Sequence, residues 1–310
     1  MESGAIIPVT VRLVFLGSPS FAVPSLEAVL EVGHEVALVV TQPDRPAGRG
    51  QRTTPPPVAA YAREHGLPVW QTSSVRGAEA EARVREARPE AMALAAFAAL
   101  IPKNVLEIAP ILNVHPSLLP RWRGAAPIQA ALLAGDASTG VSIIRLVQAL
   151  DAGPILLQEE VPIAAEDDYL TLEPRLAQLG AELLVRALAE QPVGEPQNES
   201  AATYCQRIAR DDARIDWSQR AEVIWRQVRA YRGWPQAFTT WNGKLLKVLQ
   251  AWPLQASGPP GQVYLQNAWP LVAAGRGSVR LDQVQLEGAR AQSGLEFLRG
   301  HARLVGARLA

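Results

Sequence analysis

Apolar runs alternate with amphipathic segments through the first half of the chain. Residues 11–17, VRLVFLG, predict a buried first strand, and the helical stripe that follows ends at Gly33. Further strands are predicted at 36–41, 68–71, 91–97, 111–115 and 141–146, with helices at 57–65, 76–88, 102–108 and 126–134. Because strands alternate with helices, the pattern predicts an α/β domain with an open, mostly parallel twisted sheet.

The pattern changes after a long helix predicted at 169–190. Residues 191–200 are polar and contain Pro and Gly, which predicts a linker. A helix is predicted at 220–231, and short β-like runs follow it at 236–241, 244–251, 261–265, 270–274 and 278–286. Several short strands with turn signals predict a small β-barrel. We therefore expect one domain over 1–190, a linker over 191–205 and a C-terminal domain over 206–310.

Composition narrows the class of protein. The 310 residues contain one cysteine, Cys205, which excludes an internal disulfide and fits a reducing compartment. The longest apolar stretch, 91–101, is too short to span a bilayer and ends at Pro102. The chain opens with MESG rather than a basic, apolar leader. These features predict a soluble cytoplasmic protein without a membrane partner.

Charge is divided unevenly between the two parts of a chain whose net charge is zero. Residues 1–205 hold 15 Lys and Arg against 23 Asp and Glu, whereas residues 206–310 hold 15 against 7. A basic C-terminal part implies an anionic partner, and nucleic acid is the first candidate. The alternative is that these arginines only solvate helices, which is the commoner role of charged runs.

The candidate chemistry lies at the end of the apolar run 111–115. Asn113 and His115 are two residues apart, so on a strand they face the same side. An amide can donate to an oxygen that gains negative charge, and an imidazole can transfer protons near neutral pH. Asp151 follows the strand predicted at 141–146, where its carboxylate can orient that imidazole. The three residues predict a site that catalyses attack on a carbonyl.

The sequence argues against two other kinds of site, one with a covalent nucleophile and one that binds a dinucleotide. No Ser or Cys stands beside His115 in a nucleophile motif, so direct transfer is favoured over a covalent enzyme intermediate. The sequence GSPS at 17–20 lacks the second and third glycines of a dinucleotide-binding fingerprint. The remaining histidines are His34, His65 and His301. Each lies near a glycine and lacks the polar neighbours that His115 has. No metal site is predicted.

Several motifs carry a resemblance to a known family. The pattern N-x-H-x-S-L-L-P-x-x-R-G at 113–124, followed by L-D-x-G at 150–153, resembles the formyltransferases that use 10-formyltetrahydrofolate. Within them, TQPDRPAGRG at 41–50, PIQ at 127–129 and ARIDW at 213–217 are similar to motifs of the methionyl-tRNA formyltransferases. The likeness extends from about residue 11 to 300.

The resemblance implies a function and assigns roles to residues. It implies a Rossmann-like formyltransferase domain and an OB-like barrel that binds tRNA. It also implies transfer of the formyl group of 10-formyltetrahydrofolate to methionyl initiator tRNA, with translation initiation as the purpose. Asn113, His115 and Asp151 would be the catalytic trio. The folate site would be lined by Ser117, Leu118, Leu119 and Pro120.

The loop at 42–52 would touch the acceptor end of the tRNA. Arg45, Arg49 and Arg52 against Asp44 make it positive, and it is bounded by Pro and Gly beyond the end of a strand. A phosphate backbone could order such a loop on binding. The alternative is that the segment is a solvated turn that binds nothing.

Other functions stay open from the residues alone. The alternatives are a folate-dependent formyltransferase acting on a small amine such as an amino sugar nucleotide, a formyl-folate hydrolase, and a non-catalytic tRNA-binding protein. Arg123 could serve the folate loop or anchor the turn. We expect a monomer, because no segment suggests an obligate partner helix.

Overall fold

The computed structural model describes residues 10–47 and 52–310 and divides the chain into two compact units. The first unit comprises the described residues of Met1–Gly124, together with Thr139–Pro162 and Glu173–Tyr204. The second comprises Ala125–Ser138, Ile163–Leu172 and Cys205–Ala310. Two segments that precede residue 173 therefore pack with the C-terminal residues.

The elements of the first part of the chain follow the alternation seen in the sequence. The strands are β1 (Arg12–Gly17), β2 (Glu35–Thr41), β3 (Arg45–Ala47), β4 (Arg52–Thr54), β5 (Val69–Gln71), β6 (Ala91–Ala95), β7 (Ile111–His115), β8 (Arg123–Gly124), β9 (Ser138–Arg145) and β10 (Ile155–Pro162). The helices are α1 (Val23–Glu31), α2 (Pro57–Glu64), α3 (Ala78–Glu86), α4 (Lys103–Leu106), α5 (Pro127–Ala134) and α6 (Tyr169–Glu190). Of these, α5 belongs to the second unit.

The described residues of the first unit contain a seven-stranded sheet in the order β10-β9-β7-β6-β1-β2-β5. The strands from β7 to β5 run parallel, whereas β9 pairs antiparallel with β7. Leu13, Val14, Phe15 and Leu16 of β1 are fully buried on both faces of the sheet. Continuous burial of this kind is typical of a parallel sheet covered on both sides.

Helix α6 packs closely on one face of β7. A Cβ atom on Gly180 would lie 2.5 Å from Cγ1 of Val114, so glycine permits this approach. Side chains alternate along a strand, so Val114 faces away from Asn113 and His115. The helix therefore covers one face of β7 and leaves the other to the polar pair.

The second unit is built on a curled antiparallel sheet. Strand β11 (Tyr204–Cys205) begins in the first unit and is not part of this sheet. The remaining elements of the second unit are α7 (Ala221–Ala230), β12 (Phe238–Trp241), β13 (Lys244–Leu254), β14 (Val263–Gln266), β15 (Trp269–Ala273), β16 (Ser278–Leu286), β17 (Gln292–Ser293) and α8 (Gly294–Gly300). Strands follow the order β12-β13-β16-β15-β14, and β17 pairs with β16. The register of β13 on β16 shifts near Gln250, and such irregularities curl a sheet. The unit is a half-barrel of OB-like form, with Ile224, Leu246 and Phe297 in its core.

The fold expected from the sequence is confirmed in both units. The bounds of β7 and α6 agree with the predicted ranges 111–115 and 169–190. Strand β10 was not predicted, because Gln158, Glu159 and Glu160 interrupt its apolar pattern. Within the described residues, no helix combines the length and apolarity needed to cross a membrane.

His34 makes the stability of the first unit sensitive to acid. Its Nδ1 accepts from the backbone N–H of Val11 at 3.3 Å, and its buried Nε2 has no partner among residues 10–47 and 52–310. Burial lowers the pKa of His34 below its ordinary value of 6.5. The unfolded chain therefore takes up a proton first as the pH falls through about 6.5, and stability is lost from there downward.

We expect the His34→Asn variant to lose less stability than the parent between pH 7 and pH 5. Asparagine can keep an acceptor for the Val11 N–H but does not titrate in this range. Urea unfolding at pH 7, 6 and 5 measures the effect in both proteins. Equal losses of stability on acidification would show that His34 is not the responsible group.

Candidate active site

The carboxyl end of β7 presents Asn113 and His115 on the same face of the sheet. Both side chains are buried, with 6% and 4% of their surface exposed. Among the described residues, the Asn113 carboxamide makes no side-chain hydrogen bond. Its N–H donors thus remain available to a substrate oxygen, at the end of the sheet where α/β proteins bind their ligands.

The ring of His115 is hydrogen-bonded through one nitrogen and faces a carboxylate with the other. Nε2 lies 3.0 Å from the backbone oxygen of Trp122, and Nδ1 lies 3.8 Å from Oδ2 of Asp151. A carbonyl oxygen only accepts, so the hydrogen of the first contact belongs to Nε2. In the neutral ring Nδ1 therefore carries the lone pair, and the Asp151 carboxylate lies on that side of the ring.

Asp151 is held in a turn that an L-residue rarely adopts. Its φ is 46°, in the left-handed region. Oδ2 accepts from the backbone N–H of Gly124 at 2.9 Å, so the carboxylate is tied to the loop that follows β7. The structure thus brings together the three residues predicted to form the trio, and all three belong to the first unit.

The predicted folate residues form the loop directly after β7. The hydroxyl of Ser117 is buried and donates to the backbone oxygen of Arg121 at 2.6 Å. Leu119 is also buried, and Ser142 Oγ accepts from its N–H at 3.1 Å. Leu118 and Pro120 are half-buried. The side chains of Ser117 and Leu119 therefore hold the loop in shape, whereas Leu118 and Pro120 keep surface that a ligand can reach.

Arg123 anchors this loop from within. The side chain is 1% exposed and donates to Gln197 Oε1 at 3.0 Å and 2.8 Å. It also donates to both carboxylate oxygens of Glu199, at 2.9 Å and 2.7 Å, and this contact lowers the pKa of Glu199. Of the two roles considered for Arg123, the geometry supports the anchor.

Two of the three predicted tRNA residues, Arg45 and Arg52, begin β3 and β4, which pair antiparallel as a short hairpin. Arg45 is exposed and donates from Nη2 to Oε1 of Gln42 at 3.1 Å. The backbone of Arg52 begins β4, and Arg49 lies outside the described residues. The hairpin follows β2, so it extends past the carboxyl end of a strand next to β1 in the sheet.

Sequence reasoning missed two parts of the site. The carbonyl of Trp122 sets the tautomer of His115, and Trp122 has a φ of 61°. A backbone carbonyl leaves no signal in side-chain patterns. Gln197 contacts the Asp151 turn from within the segment predicted to be a linker. In the described ranges, no group of three or more His, Cys, Asp or Glu residues could hold a metal ion.

Comparison with known proteins places this geometry in a family. A model described as "Formyl transferase" matches residues 11–188, and one described as "Formyl transferase, C-terminal domain" matches residues 207–302. A protein of Methylococcus capsulatus named "Methionyl-tRNA formyltransferase" is 44% identical over 306 residues. That alignment covers 96% of this chain and 99% of the relative.

Solved structures share the fold at lower identity. An N-formyltransferase of Helicobacter canadensis, in complex with folinic acid and dTDP-3-aminofucose, superposes with a TM-score of 0.67 and 18% identity. The match covers 88% of this chain and 99% of that one. HypX of Aquifex aeolicus, in complex with tetrahydrofolic acid, gives a TM-score of 0.64 and 18% identity over 95% of this chain. The match covers 48% of HypX, so this chain spans about half the length of that protein. The chain therefore belongs to the formyl transferase family, among the methionyl-tRNA formyltransferases.

Proposed function

We propose that this protein transfers the formyl group of 10-formyltetrahydrofolate to the α-amino group of methionine esterified to initiator tRNA. The observation that carries the proposal is the meeting of Asn113, His115 and Asp151 at the end of β7. They meet in a chain that is 44% identical to a methionyl-tRNA formyltransferase over nearly its full length. Formyl transfer needs a donor to an oxygen and a group that moves a proton, and this trio supplies both.

Asn113 acts on the oxygen of the formyl group. The folate supplies the activated formyl carbon, and its oxygen gains negative charge when the amine adds. The Asn113 carboxamide, which has no other partner in the described ranges, donates a hydrogen bond to that oxygen. Burial strengthens this contact because little water screens it. The hydrogen bond is strongest when the oxygen carries the most negative charge. It therefore stabilises the transition state more than the bound substrate and raises the rate of transfer.

His115 moves the proton. An α-amino group has a pKa of about 7.7–8.0 in model compounds, so a useful neutral fraction exists near pH 7. Nδ1 of His115 accepts a proton from the attacking amine and returns it to the departing folate nitrogen. The Trp122 carbonyl keeps the other nitrogen protonated, and Asp151 stabilises the ring while it carries both protons. The enzyme needs no covalent intermediate of its own.

The loop of residues 117–120 contributes to folate binding in this proposal. Ser117 and Leu119 shape the loop from inside, and Leu118 and Pro120 offer reachable surface beside the trio. After β6, Ala96 and Leu100 are exposed, and the register that pairs Ala95 with Val114 brings Ala96 level with His115. These apolar groups suit the flat ring of a folate, whose burial removes apolar surface from water.

The charge of the chain supports tRNA as the acceptor. The basic residues of 206–310 belong to the OB-like unit, a fold that binds oligonucleotides in many proteins. The segment of residues 42–52, with Arg45, Arg49 and Arg52 against Asp44, adds a second positive region to the sequence. We propose that Arg45, Arg49 and Arg52 contact the acceptor end of the tRNA. Neither a small amine nor water as acceptor requires either feature.

We expect Arg45→Glu to raise KM for tRNA by about tenfold at low salt and to reduce the salt dependence of binding by about one phosphate contact. The side chain is exposed and, within the described residues, hydrogen-bonds only to Gln42, so folding should tolerate the change. The matched control is Arg76→Glu, which reverses the same charge on an exposed loop of the same unit. Equal KM changes in the two variants would indicate a general charge effect rather than a contact by the hairpin.

The experiment that tests the function is a single-turnover assay with 10-formyltetrahydrofolate. Charged initiator tRNA, charged elongator tRNA and an amino sugar nucleotide are offered as acceptors in parallel. We expect formylation of the initiator tRNA and no transfer to the sugar nucleotide. Formylation of the sugar nucleotide alone would support the second candidate function, a formyltransferase acting on an amino sugar nucleotide. The Helicobacter canadensis N-formyltransferase, whose structure holds dTDP-3-aminofucose, suggests this acceptor. Tight, salt-sensitive tRNA binding without any turnover would instead indicate a non-catalytic tRNA-binding protein.

We also propose that the protein works as a monomer in the cytoplasm. Aminoacyl-tRNA is made and consumed there, and one cysteine suits a reducing compartment. Light scattering coupled to size-exclusion chromatography measures the mass in solution. A mass of twice the 33.4 kDa of the chain would overturn the monomer.

A further inference from the structure

Gln197 links two parts of the candidate active site from a segment that its sequence marks as a linker. Its Nε2 donates to the backbone oxygens of Asp151 and Gly153, both at 2.7 Å. Its Oε1 accepts from Nε and Nη2 of Arg123. The amide thus uses both of its ends, and all four residues belong to the first unit.

Arg123 decides which end of the Gln197 amide faces the turn. A guanidinium has only donors, so it must face the oxygen of the amide. The NH₂ group is then directed at two carbonyls of the Asp151 turn, which only accept. Arg123 is fully buried and is held by Glu199, so this orientation is fixed on both sides.

The turn needs such a support. Asp151 has a φ of 46°, a conformation that L-residues adopt only where surrounding contacts impose it. A Cβ on Gly153 would lie 1.8 Å from the backbone oxygen of Arg145, so the turn lies directly against the end of β9. Between these constraints the Gln197 amide holds the backbone of the turn at Asp151 and Gly153, while the Gly124 N–H binds the Asp151 carboxylate.

We propose that Gln197 is a positioning residue for formyl transfer: by holding the carbonyls of Asp151 and Gly153 it keeps the Asp151 carboxylate beside Nδ1 of His115. The inference rests on the proposed function, in which Asp151 stabilises the protonated ring. Gln197 acts through Asp151 rather than on the substrate. It should therefore affect kcat and leave the KM values for tRNA and folate alone.

The decisive variant is Gln197→Glu. A carboxylate keeps the acceptor that faces Arg123 but loses both donors to the turn, so it repels the two carbonyls. Displacing a catalytic group by about 1 Å can cost about 100-fold in rate, and we expect kcat to fall by about 10–100-fold. KM for tRNA should stay within about twofold. The matched control is Gln178→Glu, an exposed position on α6, which should keep the parental kcat.

A double-mutant cycle with Asp151→Asn separates positioning from a structural role. If Gln197 works through Asp151, then adding Gln197→Glu to Asp151→Asn should change kcat by less than about twofold, because coupled residues are not additive. Should the Glu variant not fold by circular dichroism, Gln197→Met removes both donors without adding charge and enters the same cycle. Either variant gives the coupling.

The outcomes distinguish this inference from the proposed function. The positioning role of Gln197 is supported if Gln197→Glu lowers kcat in the parental protein but not in the Asp151→Asn variant. Additive losses, or a parental kcat in Gln197→Glu, overturn the role of Gln197 while Asp151 keeps its own. A parental kcat in Asp151→Asn alone would remove Asp151 from the mechanism, and the positioning role would fall with it.

Discussion

Replacing His115 with alanine is expected to lower kcat by about 10²–10⁴-fold and to leave the affinity for tRNA within about twofold. Of the three residue types in the trio, histidine is the one suited to transfer protons. Its environment prepares it for that task, because the Trp122 carbonyl holds Nε2–H and the Asp151 carboxylate faces Nδ1. Removing the ring leaves the amine and the folate nitrogen without a partner for the proton.

Single-turnover formylation of charged initiator tRNA gives the rate, and filter binding with uncharged tRNA gives the affinity. The matched control is His65→Ala, because His65 is exposed and contacts Tyr61 of its own helix. That control should keep the parental kcat. A nearly unimpaired rate in His115→Ala would remove the imidazole from the mechanism, whatever the tRNA affinity.

The second large effect is expected from Asn113→Ala, which should lower kcat by about 10²–10³-fold with KM for both substrates nearly unchanged. The carboxamide is buried and has no partner among the described residues, so the substrate oxygen is its natural acceptor. An interaction that forms only as charge develops lowers kcat and kcat/KM together when it is removed. The size of the loss separates an oxyanion donor from a residue that only lines the site.

Two further variants sharpen this second test. Asn113→Asp keeps the shape of the side chain but replaces its donors with a negative charge, so we expect a loss at least as large as in the alanine variant. Asn104→Ala is the matched control, because Asn104 donates to Glu81 in another part of the same unit. A tenfold higher KM for folate with a parental kcat in Asn113→Ala would assign the residue to binding instead.

Much of the fold was predictable because burial is periodic where secondary structure is regular. The predicted ranges 111–115 for β7 and 169–190 for α6 agree with the structure, since β7 is a short, fully buried run and α6 is a long amphipathic segment. Strand β10 escaped this reasoning, because its middle is exposed and polar and its pattern resembles a loop. Helix α8 was missed although Ser293 and Glu296 form a capping box, a signal the sequence does carry.

The direction of strand β9, which is antiparallel to β7, could not be predicted from the sequence. Its apolar run reads the same in either direction, so hydrophobic pattern alone cannot tell whether it runs with or against β7. That direction matters for the site, because it brings Ser142 beside His115, where its hydroxyl accepts from the Leu119 N–H and donates to the Ser117 oxygen. Part of the loop of residues 117–120 is thus shaped by a strand whose direction only pairing decides.

The sequence by itself determined which residues could do the chemistry and what kind of partner the protein needs. A strand of period two presents Asn113 and His115 on one side, and the uneven charge of the two parts follows from composition alone. Only the tertiary structure decided how they work. Nε2 of His115 meets the Trp122 carbonyl, and the backbone of Asp151 is bonded by Gln197, 46 residues further along the chain. Contacts between backbone carbonyls and distant side chains are made by the fold, and no local pattern of residue types encodes them.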